Sequence, residues 1–225
     1  MSTTYSIEID LHDKDTLEFL HGKSLFAFKG VKTDGQGLPT VWVEISSFAN
    51  STKFSWSEAY GAYVRDGGMP AAGVRLVDLS INLLNLGQRL VASDDGQVDM
   101  DNKGRSGAIL VQNGGTRDWT CGMGQMVNNK LAPVCAFDLG GAGEKILMMP
   151  FEKVVLVIGS SSQMDVGTVV ATALSASITI ELDGNDPART VKFRKDTGWT
   201  SNKEGWVTIN DDNLDLAPVL VVPNT

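Results

Sequence analysis

The feature that most constrains this chain is a two-residue hydrophobic rhythm, repeated in short runs that end at Gly, Asp, Asn or Pro. Period-two alternation places every second side chain on one face of an extended strand, whereas an amphipathic helix needs apolar positions three and four apart. Residues 40–47 set Val41, Val43 and Ile45 against Trp42, Glu44 and Ser46. In residues 53–65, Phe54, Trp56, Tyr60 and Val64 share one side and Lys53, Ser55, Ser57, Tyr63 and Arg65 the other, with Glu58 the misfit on the apolar face. Ile178, Ile180 and Leu182 alternate with Thr179 and Glu181, and Val191 and Phe193 with Lys192 and Arg194. The intervening Asp183-Gly184-Asn185-Asp186-Pro187 then predicts a hairpin.

Residues 151–158 are apolar on both faces toward their C-terminal half, as in a strand at the centre of a layered core. Residues 74–91 fit two templates. Leu76, Leu79, Leu83, Leu86 and Leu90 follow helical spacing, while Val77, Leu79, Ile81 and Leu83 alternate strictly. Gly87 and the lack of a capping box favour strands with a bulge near Leu83-Leu84. Residues 93–107 and 195–205 read as long surface loops. Roughly ten short strands without a long helix predict a single-domain antiparallel β-sandwich of two packed sheets over residues 1–225. Its core is expected to hold Val41, Val43, Ile45, Phe54, Trp56, Val155, Val157, Ile178 and Ile180.

Charge narrows the partners. Nineteen Lys and Arg against 27 Asp and Glu give a formal net charge of -8, which removes the usual drive toward phosphate, so no nucleic-acid partner is expected. No basic n-region with a following apolar run opens the chain, so the expectation is a cytoplasmic protein as made, released if at all without a secretory signal. Cys121 and Cys135 are too few for a disulfide framework and are expected free. Pairing centred on Asn128 would nonetheless set them opposite each other across a hairpin, which keeps a bridge open.

Catalytic signatures are thin. His12 and His21 are the only histidines. Gly159-Ser160-Ser161-Ser162-Gln163 lacks the second glycine of a nucleophile elbow, and residues 140–145 lack the glycine before Lys145 that a phosphate loop requires. His12 with Asp10, Asp13 and Asp15, and Asp94, Asp95, Asp99 and Asp101, are acidic clusters of the kind that are usually solvated. No enzyme activity, cofactor or metal is expected. Trp119, Trp199 and Trp206 stand beside polar turn residues, and with Asp118 and Asn202 they form the candidate ligand platform, aromatic faces stacking on sugar or dipping into a headgroup layer. The expectation is a recognition protein for glycan or membrane lipid, lectin-like or resembling a small pore-forming toxin, with peripheral membrane contact and homo-oligomers within its reach. The alternative is a structural assembly subunit of phage tail or shell type, built through strand edges and loops.

Overall fold

The computed structural model describes residues 3–162, 164–201 and 205–224. Among these, twenty strands and two short helices make an all-β fold in two nine-stranded sheets and one two-stranded ribbon. The alternating segments do become strands, but two are far longer than the turn spacing suggested: Ser51–Asp66 and Lys145–Ser160 each run sixteen residues. Each is the spine of one sheet.

In the first sheet Ser51–Asp66 lies between Thr4–Asp10 and Trp119–Val127, both antiparallel to it. In the second, Lys145–Ser160 pairs along most of its length with Lys23–Thr33. Its other edge takes Ile109–Asn113 near the start and Ser177–Glu181 near the end. The sheets are mixed, which corrects the purely antiparallel expectation. Thr4–Asp10 runs parallel to Ala188–Arg194, Lys23–Thr33 to Val221–Pro223, and Arg89–Ala92 to Ile109–Asn113. Alternation reports which face is buried and is blind to strand direction, so this distinction was never in the pattern.

The segment around residues 183–187 is a second correction. Asp183 Oδ1 accepts the backbone N–H groups of Asn185 and Asp186, the turn chemistry expected there. Yet its two arms do not pair. Ser177–Glu181 belongs to the second sheet and Ala188–Arg194 to the first, so the turn carries the chain across from one sheet to the other.

The hairpin at Asn128-Asn129 does form, both residues with positive φ (46° and 61°), as a two-residue turn requires. Because the turn is centred between the asparagines, Val127 faces Lys130, and beyond Val134 the register moves again, so Cys121 faces Phe137 rather than Cys135. Both thiols are free and buried.

Residues 74–91 contain no helix and only the strands Asn82–Leu84 and Arg89–Ala92, with Leu76, Leu84 and Leu90 buried and Leu83 63% exposed. Residues 93–107, read as loop, include the strand Val98–Asp101. The expected core residues are buried, Ile45 partly so, and one apolar cluster draws side chains from both large sheets.

Candidate functional site

The two spine strands are each interrupted, and the interruptions meet. Along one edge of Ser51–Asp66, pairing with Thr4–Asp10 stops at Ser57, and pairing with Asn82–Leu84 begins at Tyr60. Along the other edge, Gln125 faces Tyr60 but Val127 faces Trp56. Residues 57–59 therefore bulge, and Glu58 stands in the bulge. Gly61 lets Asn82 approach closely beside it, since a Cβ there would lie 2.5 Å from the Asn82 carbonyl oxygen.

Lys145–Ser160 repeats this arrangement. Phe151 faces Gly30 and Val154 faces Lys29, so Glu152 and Lys153 are extra residues on their strand. On the opposite edge Ile109–Asn113 ends at Met148 and Ser177–Glu181 starts at Lys153. Pro150 sits in this break, where its missing N–H orphans no ladder bond. Gly30 lies under the bulge with no room to spare: a Cβ would meet the carbonyl oxygens of Phe151 and Lys153 at 3.2 Å. Bulges of this kind re-aim side chains, and here each one presents a carboxylate.

Between the breaks lies a pocket of about 650 Å³, lined by Tyr5, Glu58, Ala59, Tyr60, Leu83, Leu84, Asn85, Leu86, Gly107, Pro150 and Glu152. Beneath it, Lys29 is 0% exposed and its Nζ lies 2.9 Å from Glu152 Oε2, while also donating to the Phe151 carbonyl at 2.6 Å. Trp56 Nε1 donates to the same Oε2 at 2.9 Å. Both bonds fall on one oxygen, so Oε1 keeps its acceptor capacity for the pocket. Trp56 is in turn wedged among rings, stacked on Tyr5 at 5.7 Å and Phe54 at 5.7 Å and edge-on to Trp42 at 5.3 Å. A buried lysine–carboxylate pair contributes little net stability, and its placement at a pocket floor is the kind of cost that marks a functional site.

The site's field is negative. Tyr5 Oη lies 3.5 Å from Glu58 Oε1. Burial raises the Tyr60 phenol above its ordinary range, and Glu152 and Glu58 raise it further. Tyr5 is raised by the same three leading causes, with its hydrogen bond to Glu58 adding to them and one with Thr3 opposing. Desolvation lowers Lys29, with Glu152 opposing it.

The tryptophans named from the sequence do not assemble. Trp119 and Trp199 are only 4% and 3% exposed, and three strands of the first sheet separate theirs. Trp119 lies under the Arg117 guanidinium at 5.2 Å, and Trp199 packs edge-on against Phe193 at 5.1 Å. Trp206 is half-buried with Arg189 over its ring at 4.7 Å, and Asp118 is exposed. Asn202 lies outside the described residues. The sequence rightly flagged Glu58 as out of pattern, whereas Glu152 and Lys29 carried no such mark.

Members of the acidic clusters already have partners within the fold. Asp13 caps the helix Lys14–Phe19, Asp94 accepts from the N–H groups of Thr116 and Arg117, and Asp101 pairs with Arg89. Among the described residues no cluster of metal-ligating side chains is present, and no helix is long and apolar enough to cross a membrane. A second pocket of about 460 Å³, lined chiefly by Phe28, Val157, Met164, Val169, Val170 and Leu174, is apolar.

Fold and site together define an all-β protein with an acid- and tyrosine-lined pocket contributed by both sheets. No family model, curated protein or solved structure matches this chain.

Proposed function

We propose that this is a glycan-recognition protein, non-catalytic, whose two large sheets stack as a sandwich and hold the sugar in the pocket of Glu58 and Glu152. The observation that carries the reading is the pocket's chemistry: carboxylate and amide acceptors together with Tyr and Leu surfaces, and no cationic side chain among the described residues of its lining. Sugars need both kinds of wall, because hydroxyls donate to fixed acceptors while C–H faces pack on rings and aliphatic carbons. The same lining disfavours a phosphate-bearing headgroup, which has no Lys or Arg to meet. Both thiols are wholly buried, with burial pushing Cys135 up to about 12, so neither is poised as a nucleophile.

Two observations bear on the other readings. The apolar second pocket favours a lipid chain as an additional ligand, with Leu174 70% exposed beside it. The short end strands Gly37–Pro39 and Gly198–Thr200 of the first sheet offer little edge for lattice pairing, which weighs against the assembly-subunit alternative.

Isothermal titration with a panel of neutral oligosaccharides tests the proposal. At least one should bind, and Asn85→Ala and Glu58→Ala should each weaken it about tenfold with unchanged circular dichroism. If no neutral or charged glycan binds, or if both variants bind as the parent does, the reading is wrong.

A further inference from the structure

We propose that the pocket selects amino sugars, seating a protonated amine against Glu58 between the rings of Tyr5 and Tyr60. This rests on the glycan reading and narrows it.

Charge is the first reason. Two carboxylates line the pocket, and among the described residues the one cation paired with either is Lys29, wholly buried and engaged with Glu152 Oε2 and the Phe151 carbonyl. Lys29 cannot turn toward a ligand without breaking both bonds. Glu152 is thereby neutralised in place, and Glu58 is left as the uncompensated charge: its hydrogen bonds come from Thr3 N–H at 3.2 Å and Tyr5 Oη at 3.5 Å, neither of them cationic. The protein's net charge of -8 adds to this potential at longer range.

Aromatic walls are the second reason. Ring faces attract ammonium groups through their quadrupoles, most strongly where water is displaced, and Tyr5 and Tyr60 both line the pocket, Tyr5 with one ring face stacked on Trp56. Burial is the main cause that raises both phenols, and the carboxylates of Glu152 and Glu58, which add to it, would attract a cation entering the same space. A simple alkylammonium would use this seat and nothing else. A sugar ring carrying the amine would also reach Asn85 and the free Oε1 of Glu152 and would cover Leu83, which is otherwise exposed. The pocket, at about 650 Å³, has room for more than an ammonium group.

The test compares a tetramer of glucosamine with its fully N-acetylated counterpart, which differs in charge while keeping the sugar backbone. Calorimetric titration of the whole protein should show the glucosamine tetramer binding about tenfold more tightly at low salt. That advantage should shrink toward unity at about 1 M salt, where an exposed charge pair is screened. In Glu58→Gln the ratio between the two tetramers should fall close to one, while the melting temperature stays near that of the parent.

Equal binding of the two tetramers, or tighter binding of the acetylated one, overturns the amino-sugar proposal and leaves glycan recognition standing. Binding of neither overturns the amino-sugar proposal, and glycan recognition falls with it only if the neutral panel also fails to bind. Methylammonium binding as tightly as the glucosamine tetramer also overturns the proposal, since the ring would then contribute nothing.

Discussion

Lys29 and Glu152 pair across adjacent strands of the second sheet at its bulge, Nζ to Oε2 at 2.9 Å, the lysine with no exposed surface and the glutamate 15% exposed. Removing one partner strands the other in a poorly solvated place. Lys29→Met should therefore destabilise the fold by roughly 3–5 kcal/mol, read from urea unfolding. The double variant Lys29→Met, Glu152→Gln should recover part of that loss, because no unpaired charge remains. Additive losses would show that the two residues act independently.

Gly30 makes the neighbouring bulge possible. In Gly30→Ala the new methyl meets two carbonyl oxygens at 3.2 Å, and backbone yields less readily than a side-chain tip. A loss of about 1–3 kcal/mol is expected, along with weaker ligand binding as Glu152 shifts. Unchanged stability would mean that the bulge relaxes freely.

Acid sensitivity should trace in part to Asp10. The backbone N–H of His12 is the largest cause holding its carboxyl at about 2, below the usual 3.8, and hydrogen bonds from the His12 side chain and Arg194 add to it despite burial. A depressed carboxylate value stabilises the fold above its ordinary range, and that contribution is lost as pH falls from about 4 toward 2. Asp10→Asn should lower stability at neutral pH by on the order of 1–2 kcal/mol, with parent and variant converging near pH 2. Parallel stability curves down to that pH would exclude Asp10 as the source.

The thiols give a simple check on the hairpin register. Native protein should resist Ellman's reagent, since Cys121 and Cys135 are both buried and burial raises both. Unfolding without reductant should release two titratable thiols per chain. A count near zero would mean that the sulfurs sit across from each other after all.

Tryptophan quenching separates the pocket from the expected platform. Of the five tryptophans, Trp42, Trp56, Trp119 and Trp199 are buried and Trp206 is half-buried. Trp206→Phe should remove most acrylamide-quenchable emission and leave glycan binding intact. If it abolishes binding instead, the ligand site lies at Trp206 and not between Glu58 and Glu152.

What the sequence disclosed, and what it withheld, follows from the range of the interactions involved. Alternation at Phe54, Trp56, Ile178 and Ile180 marks burial because the pleat is a local property. Glu58 showed itself the same way, as a charge on an apolar face. Lys29 and Glu152 lie 123 positions apart, and nothing local to either says that the other neutralises it. The turn at Asp183 fixes a reversal but not which sheet receives the returning strand. Polar neighbours in the chain make Trp119 and Trp199 candidates for a platform as readily as for the core, and the residues that cover them come from elsewhere in the chain.

The parallel pairing of Thr4–Asp10 with Ala188–Arg194 has a consequence during synthesis. Thr4–Asp10 gains its first partner when Ser51–Asp66 emerges, but its second lies about 180 residues further along the chain. At roughly 5–20 residues per second, the roughly 130 residues between Asp66 and Arg194 leave one edge of the nascent sheet open for about 6–26 s on the ribosome. An open edge recruits neighbouring chains unless its side chains resist stacking, and Ser6, Glu8 and Asp10 supply polar and charged groups along it. Polar and charged side chains on one face of the first strand thus disfavour its pairing with a neighbouring chain before Ala188–Arg194 arrives.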